Sequence, residues 1–456
     1  MSAKNMSDPM ALKERDPADN WTADDISSRS SDLLKSKQVP FCAEMTVGLV
    51  DSDSVSNHGS LRKRKNSHSV TNGLGNGVQN PVDQDKVFRA NHTKRQGEED
   101  KEVACQYSGT NTHLFPLSGT ILSPKKRKLI LHIDLNNTVL VSDAVTGQDP
   151  RAALNCYLTT VTWGKVGPSG KWQWLSESPS LLSPCPDAVS FYSQYGRNTK
   201  FTDTTKGQRF RDLQQHHLKL LEWQGPAHPL LSIQGEQGKH YHLVLPSFFC
   251  LLESLHREGR HFAVIFRTFG TDLPRVLRAV NCALEGQHPL FPSLQEISLP
   301  VDLSPGMIRC NKRKVVLTHR TERLSTEDGG RKMYAYFSSR EGLCGFQDHF
   351  DWWAKNQFSS QGGKPLLIDP HDANVHHIFI DDNIRLDDSD TIVHQQVFSR
   401  KESCNLQTVP TSELYNVCLV QTDLLEAIAN KNYFCRCIRR CEENYENYVA
   451  RAEGCI

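Results

Sequence analysis

No stretch of this chain is apolar for long enough to cross a bilayer. A span needs roughly 20 consecutive apolar residues; the best run, Leu243–Leu255, contains Pro246 and is followed by charge. Met1–Asn5 is polar, so neither a secretory leader nor a membrane partner is expected. Aromatic residues are also scarce, at 8%, and hydrophobic residues reach only 38%. With a mean hydropathy of −0.52, these values imply a long polar segment diluting an ordinary core. Neither sign of charge is in excess: 53 lysines and arginines face 52 aspartates and glutamates, a formal net charge of +1. Such a balance gives no bulk attraction to nucleic acid, which is not expected as a partner. Paired CxxC knuckles are missing too. The 14 cysteines are scattered, and the tightest group, Cys435, Cys437 and Cys441, has no second ligand pair at zinc-finger spacing. It reads as a set of thiols carried by a helix, with a metal site as the alternative. Many unpaired thiols favour a reducing compartment, and a cytoplasmic or nuclear location is expected.

What is present divides the chain in two. Residues 1–122 are rich in Ser, Asn, Asp, Lys and Gly, and almost without apolar periodicity. Such a segment buries too little apolar area to offset a backbone ordering cost of roughly 1–2 kcal/mol per residue, so it is expected to be a disordered tail. Two basic clusters, Arg62-Lys63-Arg64-Lys65 and Lys125-Lys126-Arg127-Lys128, read as addresses for importin. The alternatives are a solvated linker for the first, and for the second a basic lead into a strand.

From 123 the texture changes. Lys128–Ile133 is a short apolar run ending at Asp134, the pattern of a central parallel strand. Leu245–Glu258 has helical period, with Pro246 suited to its start and Gly259 to its end. His261–Phe266 reads as a second buried strand and Asp272–Leu284 as the helix after it; Lys314–Thr318 is a third strand candidate. Gly345–Asn356 reads as a helix, Val375–Ile380 and Thr391–Phe398 as strands, and Thr422–Ala450 as one long amphipathic helix. Strands alternating with helices predict an α/β fold with a doubly wound, Rossmann-like parallel sheet. The rhythm breaks over 150–238, where Tyr157–Trp174 reads as a hairpin turning on Gly167–Gly170, with Trp163, Trp172 and Trp174 along one side. A helix near Phe210–Trp223 follows. The expected organisation is a tail over 1–122, a core from 123–149 and 239–435, an insertion over 150–238, and a C-terminal helix and tail over 436–456.

In an open parallel sheet ligands bind beyond the carboxyl ends of the strands. Three predicted ends carry suitable chemistry: Asp134-Leu135-Asn136-Asn137-Thr138, Arg267-Thr268-Phe269-Gly270 and Asp381-Asp382-Asn383. Neighbouring carboxylates raise one another's pKa unless a cation lies between them, and Mg²⁺ favours a few hard oxygens with water and phosphate. The arrangement resembles the haloacid dehalogenase-like hydrolase superfamily, with its motifs hhhDxDx(T/V), hhh(S/T), a lysine, and hhhhDD. Ile130–Thr138 looks like the first; Val264–Thr268 resembles the second, with Arg267 interrupting the apolar run. Lys364 in Gly363-Lys364-Pro365 is similar to the third, and Ile378–Asp382 to the last. Lys314 and Lys355 compete with Lys364 for the lysine role.

The resemblance implies that Asp134 is a nucleophile forming an aspartyl phosphate, and that Thr268 and Lys364 hold the phosphoryl oxygens. It implies that Asp381, with Asp382, holds Mg²⁺ together with Asp134 and the backbone carbonyl of Asn136, and that the 150–238 insertion is a cap. The substrate would be a phosphorylated small molecule or a phosphoprotein. Phosphatases of this family carry an Asp where this chain has Asn136, as general acid and later base. An amide cannot accept that proton, and losing a general acid typically costs roughly 10²–10⁴-fold. The resemblance therefore supports two expectations, a slow phosphatase or a binding module that has kept the fold. A third is a nuclear regulatory protein in which the basic tail matters more. His376 and His377 read as strand-flanking residues rather than ligands.

Overall fold

The computed structural model describes residues 126–454 apart from 176, 328, 402 and 403. The reading of 1–122 as a tail and the basic cluster at 62–65 lie outside the described residues. The architecture is α/β around a large, mostly parallel sheet. Its strands are β1 Lys128–Ile133, β2 Phe262–Thr268, β3 Gly306–Cys310, β4 Val315–His319, β5 Glu322–Ser325, β6 Gly342–Gln347, β7 Val375–Asp381 and β8 Leu419–Gln421. Their order is β5-β4-β3-β6-β2-β1-β7-β8. β1 lies between β2 and β7, parallel to both, and everything from β3 to β8 in that order is parallel. Only the β3-β4-β5 edge is antiparallel. Lys314–Thr318 is thus a strand as expected, but of an edge meander and not of a crossover.

The pleat of β1 explains its central place. Leu129, Leu131 and Ile133 point into one apolar cluster and Ile130 into the other, so the strand is buried on both faces. Each such side chain contributes about 1.5–3 kcal/mol by leaving water. The first cluster is covered by α1 Pro150–Val161, α2 Arg211–Leu221, α3 Pro246–Arg257 and α4 Leu273–Cys282; the second by α5 Arg331–Ser338. Arg127 is buried against Glu446, and Lys128 reaches Glu341 at 2.6 Å. The second basic cluster therefore has two members engaged in the fold, as in the reading that made it a lead into a strand.

Several elements differ from expectation, each for a long-range reason. Gly345–Asn356 is split: its start belongs to strand β6, and only Phe350–Lys355 is helical. A Cβ on Gly345 would lie 2.4 Å from Leu273, so this strand passes directly under α4. Val393–Phe398 is a strand but joins a separate small sheet, parallel to Lys364–Ile368 and antiparallel to Leu406–Thr408. The long C-terminal helix is broken into Leu424–Ala429 and Tyr433–Gly454, because Asn430 adopts extended backbone between them. The expected hairpin begins at Trp163, since Tyr157 lies in α1. Trp172 and Trp174 meet edge to face at 4.5 Å, while Trp163 bonds elsewhere, donating to the Ser180 carbonyl. Gly164 is fixed by that packing, as a Cβ there would strike the Trp172 ring. With Leu158, Phe191, Phe201 and Phe210, Trp172 builds a small core for this region. The Cys435, Cys437 and Cys441 thiols lie on the last helix, and every cysteine among the described residues is free.

Candidate functional site

β1, β2 and β7 are adjacent and in register, with Ile133 beside both Phe266 and Ile380. Their carboxyl ends therefore bring Asp134, Thr268 and Asp381 to one edge, and the Asp134 amide donates to the Ile380 carbonyl at 2.9 Å. The fourth part arrives from the small sheet. Lys364, the first residue of its leading strand, sends its side chain across and is itself buried. The ammonium donates to Asp134 Oδ1 at 2.6 Å, to Asp381 Oδ2 at 2.8 Å and to the Arg267 carbonyl at 3.1 Å. All three of its protons are used. The competing lysines do not come here: Lys314 pairs with Glu327 at 2.9 Å, and Lys355 ends its short helix.

Asp134, Asn136, Thr268, Lys364 and Asp382 line a common cleft of about 110 Å³, room for a small oxyanion with water. Asp381 lies beneath it, fully buried, its Oδ1 accepting from the Asn383 amide at 2.9 Å. Carboxylate oxygens of Asp134, Asp381 and Asp382 all lie within 4.8 Å of one another. Burial pushes the Asp134 carboxyl well above its ordinary range; Lys364 opposes this, while Asp381 and Asp382 add to it. Asp382 is pushed up to about 7, by burial first and then by Asp381. Burial acts to lower Lys364, but Asp134 and Asp381 outweigh it and hold the ammonium charged. Two carboxyls thus share a single buried ammonium, and Asp382 lies beside them. Their hard oxygens are a donor set suited to a divalent cation, which would relieve the excess negative charge.

Thr268 Oγ1 accepts from the Gly270 amide at 2.9 Å, so it both caps the turn after β2 and faces the cleft. Asn136 is held from behind. Its Nδ2 donates to the Ser142 carbonyl at 2.8 Å and to Asp272 Oδ2 at 3.1 Å, and the same Asp272 oxygen accepts from the Ala144 amide at 3.1 Å. Asp272 thereby ties the β1 exit loop to the start of α4, and it is 3% exposed. No local pattern marks this pair; an Asp preceding Leu273-Pro274 reads only as a helix start. Arg267, which looked like an interruption of the second strand, is fully buried and forms a two-pronged pair with Asp348, at 2.9 and 2.7 Å. It faces away from the cleft, as the pleat requires once Thr268 faces into it. His376 and His377 lie inside β7: His376 bonds to the Val417 carbonyl at 2.9 Å, and His377 lies 3.1 Å from His132. Neither joins the carboxyl cluster. Asp143 and Arg197, which the sequence reading did not single out, complete the cleft with Phe269, which stacks on Trp353 with centroids 5.2 Å apart.

Set against known proteins, the chain matches no family model, no curated protein and no solved structure. Its class is therefore read from the fold and the site: an α/β protein with a mostly parallel sheet and a carboxyl-lysine cluster at the carboxyl ends of its central strands.

Proposed function

We propose that the protein is a divergent haloacid dehalogenase-like hydrolase that transfers a phosphoryl group to Asp134, with a doubly wound core and the 150–238 region as its cap. The observation that carries this is the placement of Lys364. It bridges a carboxyl at the end of β1 and another at the end of β7, with the Thr268 hydroxyl beside them. Asp134, Asp381 and Asp382 would hold Mg²⁺, which would neutralise phosphate charge when bound.

Asp134 attacks phosphorus in line while the ester oxygen departs, forming a carboxyl-phosphate bond as the phosphorus-oxygen bond breaks; water then hydrolyses the acyl phosphate. Lys364 offsets charge on Asp134 and on the transferring group, and Thr268 supplies a hydroxyl to a phosphoryl oxygen. Asn136 has no proton to give the leaving group. Good leaving groups, aryl phosphates above all, are therefore expected to turn over fastest.

The test is hydrolysis of p-nitrophenyl phosphate with Mg²⁺ by the full chain, beside Asp134→Asn. Turnover in the first, abolished in the second, is expected, together with capture of beryllium fluoride at Asp134 seen by fluorine NMR. Absence of both turnover and capture would sink the reading. Capture without turnover would instead favour the second reading, a binding module. That reading draws on the locked Asn136 amide, whose Nδ2 is committed to Ser142 and Asp272.

A further inference from the structure

Behind the small sheet lies a second, larger concavity of about 760 Å³. It runs between the outer face of that sheet and the tip of the β3-β4 hairpin. Register explains its wall. Pro365 pairs with His394 and Leu367 with Gln396, while Gln396 lies opposite Thr408, so Pro365, His394, Gln396 and Thr408 share the outward face. Lys364, one residue earlier, is on the inward face and reaches the cleft. Trp352 and Trp353 divide in the same way, the first lining this groove and the second the cleft.

The hairpin tip supplies charge. Lys312, Arg313 and Lys314 line the groove in succession, and no carboxylate lines it among the described residues. Lys314 is paired with Glu327 at 2.9 Å; Lys312 and Arg313 have no ion-pair partner among the described residues. The tip is shaped to present them, because Asn311 Oδ1 accepts from the Arg313 and Lys314 amides at 2.8 and 3.0 Å. In a chain whose formal net charge is +1, this is a local excess of cations over a floor of amide, imidazole and hydroxyl groups.

We infer that this groove binds a ligand carrying two or more phosphate groups. Lys312 and Arg313 would take the charge, Arg313 by its two-pronged fork, and the amide and hydroxyl wall would accept the rest of the molecule. The span from hairpin tip to sheet face suits an extended, multiply charged ligand better than a lone phosphate. The inference does not rest on the phosphoryl-transfer reading, since the groove shares none of its carboxylates.

The test is isothermal titration of the full chain with inorganic tripolyphosphate, beside inorganic phosphate, a tetra-glutamate peptide and a short single-stranded oligonucleotide. Tripolyphosphate is expected to bind most tightly. The double variant Lys312→Gln, Arg313→Gln is expected to weaken it by roughly tenfold or more, with an unchanged thermal midpoint. Chemical-shift changes on the Gln396 and Asn356 side-chain amides should accompany binding. Equal binding by the double variant, tighter binding of the oligonucleotide, or no tripolyphosphate binding at all would each overturn the proposal.

Discussion

Asn136 and Asp272 form a couple in which the charge has one permitted place. Their side chains meet at 3.1 Å, and Asp272 is buried, accepting among the described residues from two neutral donors, the Asn136 and Ala144 N–H groups. Asn136→Asp, the change that would supply the missing acid, sets a second carboxyl against the first. One of the two must then keep its proton, so the pair's folded pKa lies above its unfolded value. The penalty therefore grows as pH rises above about 4, the ordinary carboxyl value, and the variant is expected to lose about 1–3 kcal/mol at pH 7.5 and less at pH 5. Adding Asp272→Asn should restore stability and, on the phosphoryl-transfer reading, raise turnover of substrates with poor leaving groups. Urea melts at the two pH values check the first statement, and alkyl phosphate kinetics the second. A single Asn136→Asp variant as stable as the parent at both pH values counts against the account.

At the scale of elements, the second strand carries a polar cross-brace through an apolar layer. Arg267 on β2 grips Asp348 just past β6, and its guanidinium also donates to the Pro365 carbonyl at 3.1 Å. One side chain thus links the central sheet to the small sheet that bears Lys364. Asp348→Ala leaves that guanidinium buried without its partner and is expected to cost about 3–5 kcal/mol; Arg267→Met with Asp348→Leu should cost clearly less. Chemical denaturation of the two variants beside the parent decides it, and equal losses would argue against a mutual pair. This scale also shows what was legible. β1, β2 and β7 could be read because each is a buried run ending in chemistry. Lys314–Thr318 and Thr391–Phe398 could be read as strands too, but not the antiparallel edge and the small sheet they join, nor the split at Gly345, since strand partners are chosen by residues far away in sequence. The Asn136–Asp272 bond, across 136 positions, lay beyond reach for the same reason.

For the molecule as a whole, buried imidazoles set the response to acid. Burial pushes His376 and His377 down to about 3 and His242 and His288 to about 4. Each is neutral in the fold but protonates near its ordinary value, about 6.5, once unfolded. Their stabilisation is complete above that value and is lost as pH falls towards the folded pKa values. Unfolding followed by circular dichroism should therefore begin below about pH 6 and be steep, several protons being taken up together. His242 Nδ1 is buried with no hydrogen-bond partner among the described residues, so His242→Phe should move the midpoint to lower pH with no loss of stability at pH 7. An unmoved midpoint would remove His242 from the set.

The route by which Lys364 reaches Asp134 has a consequence in time. The two lie 230 positions apart, on different sheets. The β1–β7 pairing closes as long a loop, and both closures follow the local helices and hairpins, but the ammonium needs a further step. The ammonium can enter only when the small sheet docks, so an intermediate with its central sheet built would still lack a competent centre. Recovery of beryllium fluoride capture during refolding would then lag behind recovery of the circular dichroism signal, making the charge cluster a clock for the last assembly step.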